Sequence, residues 1–500
     1  MSRHLQRHPP NQVRGNQHWN VSFSMKVELQ SLDWSGGRRQ VCSFTPYARI
    51  MLTPSDVVER FSLAISRGDA GLFVGSGLSV PSGAPSWSTL FSAQAADLGI
   101  VLRDSDNLPE IAQYVINASM GNRGPLVSEI RDLTAKTSGP NTLHKVLVNC
   151  GINTIWTTNY DTLLEEAYGS GTALVRVEDS DIATVRRLDS HVEILKIHGC
   201  RVRSNPSGMV ITTKDYDELE ARRPALVQRL RHDMMNRSFL FLGYSYSDPD
   251  IRTVMQQVRL LTNGDTREHF MLTTKEKRSA ELERRQELWV DELRRVGIRC
   301  ALLDSHSELQ ALLAQMVLLS RGRTIFPTGS HMVNADFAVE LGSRLATLDP
   351  EVVLLDGQSE GMGRDVLNGF SSAIIRGHKD IRPRIRLYPN PYAYDPALAN
   401  DTELLETLMS WRSGLLRDCR IFLAFDGGMG TAAEVAAALK LGCTIIPIPL
   451  SRTGSAIKLM KNKVIATNLA RLAPSYLSGF PTDLPTVEAV VDCVERVLGE

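Results

Sequence analysis

Short apolar runs rich in β-forming residues alternate with amphipathic helical stretches along most of this chain, and that alternation leaves few folds open to it. From Pro54 onward the runs Gly71 to Val74, Thr154 to Thr157, Glu193 to Ile197, Phe239 to Leu242 and Phe270 to Thr273 are separated by helical patterns. Repeated strand–helix–strand units build a parallel sheet with helices on both faces. A second series has strand candidates at Val352 to Leu355, Ile385 to Tyr388, Ile421 to Phe425 and Thr444 to Ile448, with helices near 336–346, 364–376, 401–417 and 431–441. Between the two series, Ser320 to His331 contains Pro327 and Gly329, ends the helix of 307–319 and reads as a linker.

The chain has 500 residues, more than one hydrophobic core usually fills. The expected organisation is a poorly ordered extension at 1–52, an α/β domain at 53–319, the linker at 320–331 and a second α/β domain at 332–500. Both domains are read as Rossmann-type parallel sheets. Lys plus Arg equals Asp plus Glu at 56 each, so no global field draws the chain to nucleic acid or to an anionic membrane. Seven scattered cysteines without a C-x-x-C pair argue for a reducing compartment, with no disulfide framework, zinc ribbon or other metal site. No apolar leader opens the chain and no run approaches the roughly 18 apolar residues of a membrane span. The cytoplasm is therefore expected.

Four polar clusters follow predicted strands of the first series: GSGLSVPSGAPSW at 75–87, TTNYD at 157–161, the pair His198–Gly199 and GYSYSD at 243–248. Each falls at the carboxyl end of a parallel strand, where open α/β sheets place their ligands. Gly75 and Gly77 let backbone N–H groups approach a pyrophosphate without side-chain obstruction. Asn159 can hold a water or a hydroxyl through its amide, and His198 can accept a proton near neutral pH. Asp161 either stabilises a cation directly or braces its own loop by an Asx turn, and Trp87 either packs in the core or anchors the loop.

In this order the four motifs resemble the sirtuin superfamily, in the divergent branch found in bacterial defence proteins, over roughly residues 54–310. The resemblance implies NAD⁺ as substrate, with Asn159, Asp161 and His198 facing the nicotinamide ribose. It implies phosphate contacts from Gly75, Ser76, Gly77 and Ser79, and Gly243 and Ser245 near the adenosine half. Protein-deacylating sirtuins carry a zinc module with two C-x-x-C pairs after the catalytic histidine, whereas here Cys200 is followed by no cysteine until Cys300. Hydrolysis of NAD⁺ to nicotinamide and ADP-ribose is thus ranked first. Deacylation or ADP-ribosyl transfer comes second, and a catalytically silent NAD⁺ binder third.

In the second series the strand Ile421 to Phe425 runs into Asp426-Gly-Gly-Met-Gly-Thr-Ala-Ala-Glu434. Gly427, Gly428, Gly430 and Thr431 leave backbone donors open at a helix start, where anions are stabilised, while Glu434 suits ribose hydroxyls better than phosphate. Another glycine loop, Asp356 to Arg364, offers Gly357 and Ser359, and Arg412 is either a phosphate partner or an exposed helical arginine. The pattern GGxGTxxE resembles the SLOG and LOG superfamily over about 332–500. LOG enzymes present an Arg-Lys pair and a proline where this chain has Arg412-Ser413 and Asp426, which favours ligand sensing over an independent phosphoribohydrolase. A sirtuin-like domain followed by a SLOG domain resembles the effectors of Thoeris anti-phage systems. That resemblance implies a TIR-domain partner protein, activation by its cyclic ADP-ribose isomer bound at the SLOG pocket, NAD⁺ depletion and a homotetramer.

Overall fold

The computed structural model describes residues 52–103, 106–184, 192–243, 255, 259, 267–329, 334–358, 360–388, 390, 414–478 and 484–499. Residues 1–51 of the expected extension, and residues 401–413 of the helix expected at 401–417, lie outside these ranges.

Seven strands form the first sheet: β1 (Ala70–Val74), β2 (Thr154–Thr157), β3 (Ala173–Arg176), β4 (Val192–Lys196), β5 (Ser238–Leu242), β6 (His269–Thr274) and β7 (Ile298–Leu303). Their order is β3-β4-β2-β1-β5-β6-β7 and every pairing is parallel. β1 and β5 are buried along their whole length, and period-two alternation divides their side chains between two cores. Leu72, Val74, Leu240 and Leu242 join one core with Val57, Phe61, Leu313 and Met316, from the helices Pro54–Ser66 and Ser307–Ser320. Phe73, Phe239 and Phe241 join the other with Leu226, Leu230 and Met234 from the helix Pro224–Asn236. Each fully buried side chain of this size contributes about 1.5–3 kcal/mol. Helix Pro54–Ser66 starts at a capping box, with the Asp56 amide donating to Thr53 Oγ1 and the Thr53 amide to Asp56 Oδ2.

The second sheet contains β8 (Thr324–Thr328), β9 (Val353–Asp356), β10 (Ile385–Leu387), β11 (Ile421–Phe425) and β12 (Thr444–Ile448), all parallel, in the order β10-β9-β8-β11-β12. The linker expected at 320–331 is corrected here, because Thr324–Thr328 is the central strand of this sheet. Pro327 is tolerated because the ladder to β9 covers only Thr324 and Ile325, so no donor is required on that side at residue 327. The helix Ser307–Ser320 ends at its C-cap Arg321, three residues before β8 begins. The Arg321 guanidinium is buried and donates to the carbonyls of Cys419 (2.9 Å) and Leu441 (2.5 Å). Among the described residues no helix is long and apolar enough to cross a membrane.

Candidate functional site

In the first sheet, β1 has β2 on one side and β5 on the other, so the winding reverses there and opens a crevice beyond the carboxyl ends of the strands. The predicted glycine loop occupies it. Gly75 N–H donates to the Leu242 carbonyl (2.9 Å) and Gly77 N–H to the Gly243 carbonyl (2.8 Å), which docks the loop on the end of β5. A Cβ on Gly77 would lie 2.9 Å from the Gly243 Cα, and one on Gly243, at φ +58°, would lie 2.2 Å from the Leu78 nitrogen. Two chain segments meet here with no room for side chains. Asn141 secures the loop from behind, donating to the Leu78 carbonyl (2.8 Å) and Ser82 Oγ (3.0 Å).

β2 delivers Asn159. Thr157 Oγ1 donates to the Val74 carbonyl of β1 (2.7 Å) and accepts from the Asn159 amide (3.0 Å), so the turn is fixed to the neighbouring strand. The Asn159 side chain is buried and its Nδ2 donates to Ser79 Oγ of the glycine loop at 3.2 Å. Its Oδ1 is buried with no hydrogen-bond partner among the described residues, an acceptor that a bound hydroxyl or water would satisfy. Asp161 accepts from the Leu163 amide at 3.0 Å and its carbonyl accepts from the Lys196 ammonium. Of the two roles open to Asp161, bracing the loop is the one these bonds display. Lys196 is a supporting residue that motif reading missed: burial works against its charge, but Glu165, 2.8 Å away, and Asp161 hold its pKa above the ordinary lysine value. A lysine ending the buried run Val-Glu-Ile-Leu-Lys is the signal that would have found it.

β4 delivers His198. Thr157 and Lys196 are register partners, so Asn159 and His198 each stand two residues past the paired ends of adjacent strands. The imidazole is fully buried, edge-to-face with Tyr216 (centroids 5.2 Å apart) and Trp87 (6.1 Å). Trp87 in turn lies 6.2 Å from Tyr160 of the TTNYD turn, so it is a loop anchor that spans both motifs. The structure thus brings the glycine loop, Asn159, Asp161, His198 and Gly243 to one end of the sheet, while Ser245 lies outside the described residues.

The second sheet repeats the arrangement, with its reversal between β8 and β11. Gly329 follows β8 so tightly that a Cβ there would lie 2.6 Å from the Phe425 Cβ. The helices Met362–Arg376 and Met429–Lys440 start at Gly361 and Gly428 without side-chain caps, and the Met362 amide donates to the Gly329 carbonyl at 3.1 Å. Gly427 exchanges hydrogen bonds with Ser455 Oγ (2.8 and 2.9 Å), Thr431 is buried against it, and Gly430 faces open space. Asp426 braces the loop, accepting from the amides of Ala456 (2.8 Å) and Leu450 (3.1 Å). Glu434 accepts from Thr328 Oγ1 at 2.8 Å, a contact that orients its carboxylate at the end of β8. Gly357 lines a small cleft there with Thr328, Gly329 and Glu360. Ser359 and Arg412 lie outside the described residues.

Comparison with known proteins matches residues 153–299 to a SIR2-like domain family. The chain is 28% identical over 351 residues to an NAD(+) hydrolase ThsA of Bacillus cereus, covering 67% of this chain and 73% of that protein. It is 25% identical to the NAD(+) hydrolase ThsA of Acinetobacter baumannii over 82% of this chain and 90% of that one. A third protein of that name, from Cytobacillus dafuensis, is 26% identical over 86% of this chain and 91% of its own length. The similarity runs through both sheets.

Proposed function

We propose that the chain is a ThsA-type effector of Thoeris defence, whose first domain hydrolyses NAD⁺ to nicotinamide and ADP-ribose and whose second domain switches this activity, a reading supported by its similarity to proteins named NAD(+) hydrolase ThsA. The observation that carries the reading is the buried Asn159 Oδ1, unpartnered among the described residues, beside Ser79 of the glycine loop, with His198 at the matching position of the next strand.

In this proposal the glycine loop, docked on β5 through its Gly75 and Gly77 amides, sets Ser76 and Ser79 at the pyrophosphate and Gly243 at the adenosine side, and Asn159 Oδ1 accepts a hydrogen bond from a ribose hydroxyl or from the attacking water. The C1′–N bond breaks with its electron pair leaving on nicotinamide. The water oxygen bonds to C1′ of the oxocarbenium-like ribose, and the water's proton passes to His198. Reactants and products balance as NAD⁺ and water giving nicotinamide, ADP-ribose and a proton. Asp161 and Lys196 keep the Asn159 turn in place.

The activator in this reading is a cyclic ADP-ribose isomer, made by a TIR-domain partner protein, seated where the helices Met362–Arg376 and Met429–Lys440 begin, near Gly357, Thr431 and Glu434, with Ser359 and Arg412 as further proposed contacts. Its effect passes through a homotetramer, and switching needs the ligand to favour the active state by roughly 1–3 kcal/mol. The test is nicotinamide release by the full chain across candidate cyclic isomers, in wild-type, Asn159→Ala and Arg412→Ala proteins. The proposal predicts isomer-dependent release, abolished by the first variant and desensitised to the isomer by the second. Unchanged release in Asn159→Ala overturns the catalytic assignment, and unchanged activation in Arg412→Ala overturns the sensor assignment.

A further inference from the structure

The stretch after His198, residues 199–210, is held by arginines from two other parts of the chain. Arg131 donates to the Ser204 carbonyl at 2.6 Å. Arg123 donates to the carbonyls of Pro206 (3.2 Å) and Met209 (2.7 Å) and pairs with buried Asp215 at 2.7 Å. Arg223, just before the helix Pro224–Asn236, is the most deeply placed, with its side chain 4% exposed. It donates to the Ile197 carbonyl at 2.7 Å and to the Gly208 carbonyl, and pairs with Glu178 at 3.1 Å.

These bonds converge on one imidazole. Ile197 directly precedes His198, and the His198 carbonyl accepts from the Val210 amide at 3.0 Å. Val210 is fixed in turn, because its carbonyl accepts from the Tyr160 hydroxyl at 2.5 Å. The backbone on both sides of His198 is therefore tied to the 208–210 segment, and the Arg223 guanidinium links the two strands of that tie. A planar fork serves two carbonyls at once, which a lysine ammonium on a flexible stem does not reproduce.

Resting on the NAD⁺-cleaving reading, we infer that Arg223 is a positioning residue of the reaction, which fixes the His198 imidazole through the carbonyls of Ile197 and Gly208. A cavity of about 270 Å³ adjoins Arg223, and its lining residues Asn205 and Ser207 are exposed, so a small cation can reach the site from solvent.

The test uses the full chain with the activating isomer. Arg223→Lys keeps the charge and loses the fork, so kcat is expected to fall about tenfold or more while KM stays within about twofold. Arg223→Ala is expected to fall further and to regain at least about fivefold with added guanidinium ion, which the cavity admits. Glu178→Gln, which removes only the half-exposed partner, is expected to keep wild-type kinetics. Melting curves and ADP-ribose binding by calorimetry establish that Arg223→Lys is folded. A folded Arg223→Lys with kcat within about twofold of wild type overturns the inference, as does a change confined to KM. If Arg223→Ala does not fold, the Arg223→Lys result decides. Wild-type protein that releases no nicotinamide with any activator overturns the reading of the site, and this inference with it.

Discussion

Replacing Gly243 by alanine tests whether the cleft depends on the meeting of the glycine loop with the end of β5. A Cβ there would lie 2.2 Å from the Leu78 nitrogen, 2.8 Å from the Gly77 carbonyl carbon and 3.1 Å from the Gly75 oxygen. All three are backbone atoms, so no side chain can rotate aside. Ordinary contact begins near 3.4 Å, so relief requires the loop to move by about 1 Å. The left-handed φ of +58° adds about 1–2 kcal/mol of strain for a residue with a Cβ. Displacing a substrate-positioning group by about 1 Å costs roughly a hundredfold in rate. Gly99→Ala separates the two effects, because Gly99 has φ +72° but nothing within 4 Å of the place its new methyl group would take. The assay is kcat/KM for nicotinamide release, paired with a melting curve for each variant. Both variants are expected to melt slightly lower, and only Gly243→Ala to lose about a hundredfold in kcat/KM. Equal kinetics for the two variants would refute the reasoning.

Burial pushes the His269 imidazole down to about 4 while its Nδ1 accepts from the Phe239 amide at 3.1 Å. The unfolded chain takes up that proton first, so this contribution to stability is complete above pH ~6.5 and is lost as pH falls towards 4. His269→Asn keeps an acceptor and is expected to remove on the order of 3 kcal/mol from the acid dependence of unfolding over that window, and an unchanged slope would contradict this. Arg321→Ala leaves the carbonyls of Cys419 and Leu441 without their donor and is expected to cost about 3 kcal/mol in urea unfolding, with a loss below about 0.5 kcal/mol counting against the clamp. Asp426→Asn turns one acceptor into a donor facing the amides of Leu450 or Ala456, and is expected to raise the half-activating isomer concentration about tenfold. An unchanged activation curve would show that this loop does not hold the activator.

The strands that carry the site were legible because they are continuous apolar runs ending in polar clusters: β2, β11 and β12 fall on the expected residues, and β1, β4 and β5 within one residue at either end. β8 was misread because Pro327 and Gly329 are strong breaking signals, and only the short ladder to β9 explains why a proline is tolerated there. β3 and β7 were missed because each lies at an edge of the first sheet, and Arg176 and Arg299 interrupt their apolar pattern. Asn159 and His198 could be placed on neighbouring strand ends because parallel sheets put such residues together. Arg223 could not, since its role depends on the carbonyls of Ile197 and Gly208, and any residue supplies a carbonyl.

The central claim is that a nucleotide signal turns on cleavage of NAD⁺ at the cleft holding Asn159 and His198. The most direct measurement follows NAD⁺, nicotinamide and ADP-ribose by chromatography in one sample of the full chain, with and without each cyclic ADP-ribose isomer, for wild type and His198→Ala. The account predicts equimolar nicotinamide and ADP-ribose from wild type with the cognate isomer and none from His198→Ala. NAD⁺ left intact with every isomer, or product formed by His198→Ala at the wild-type rate, would contradict it.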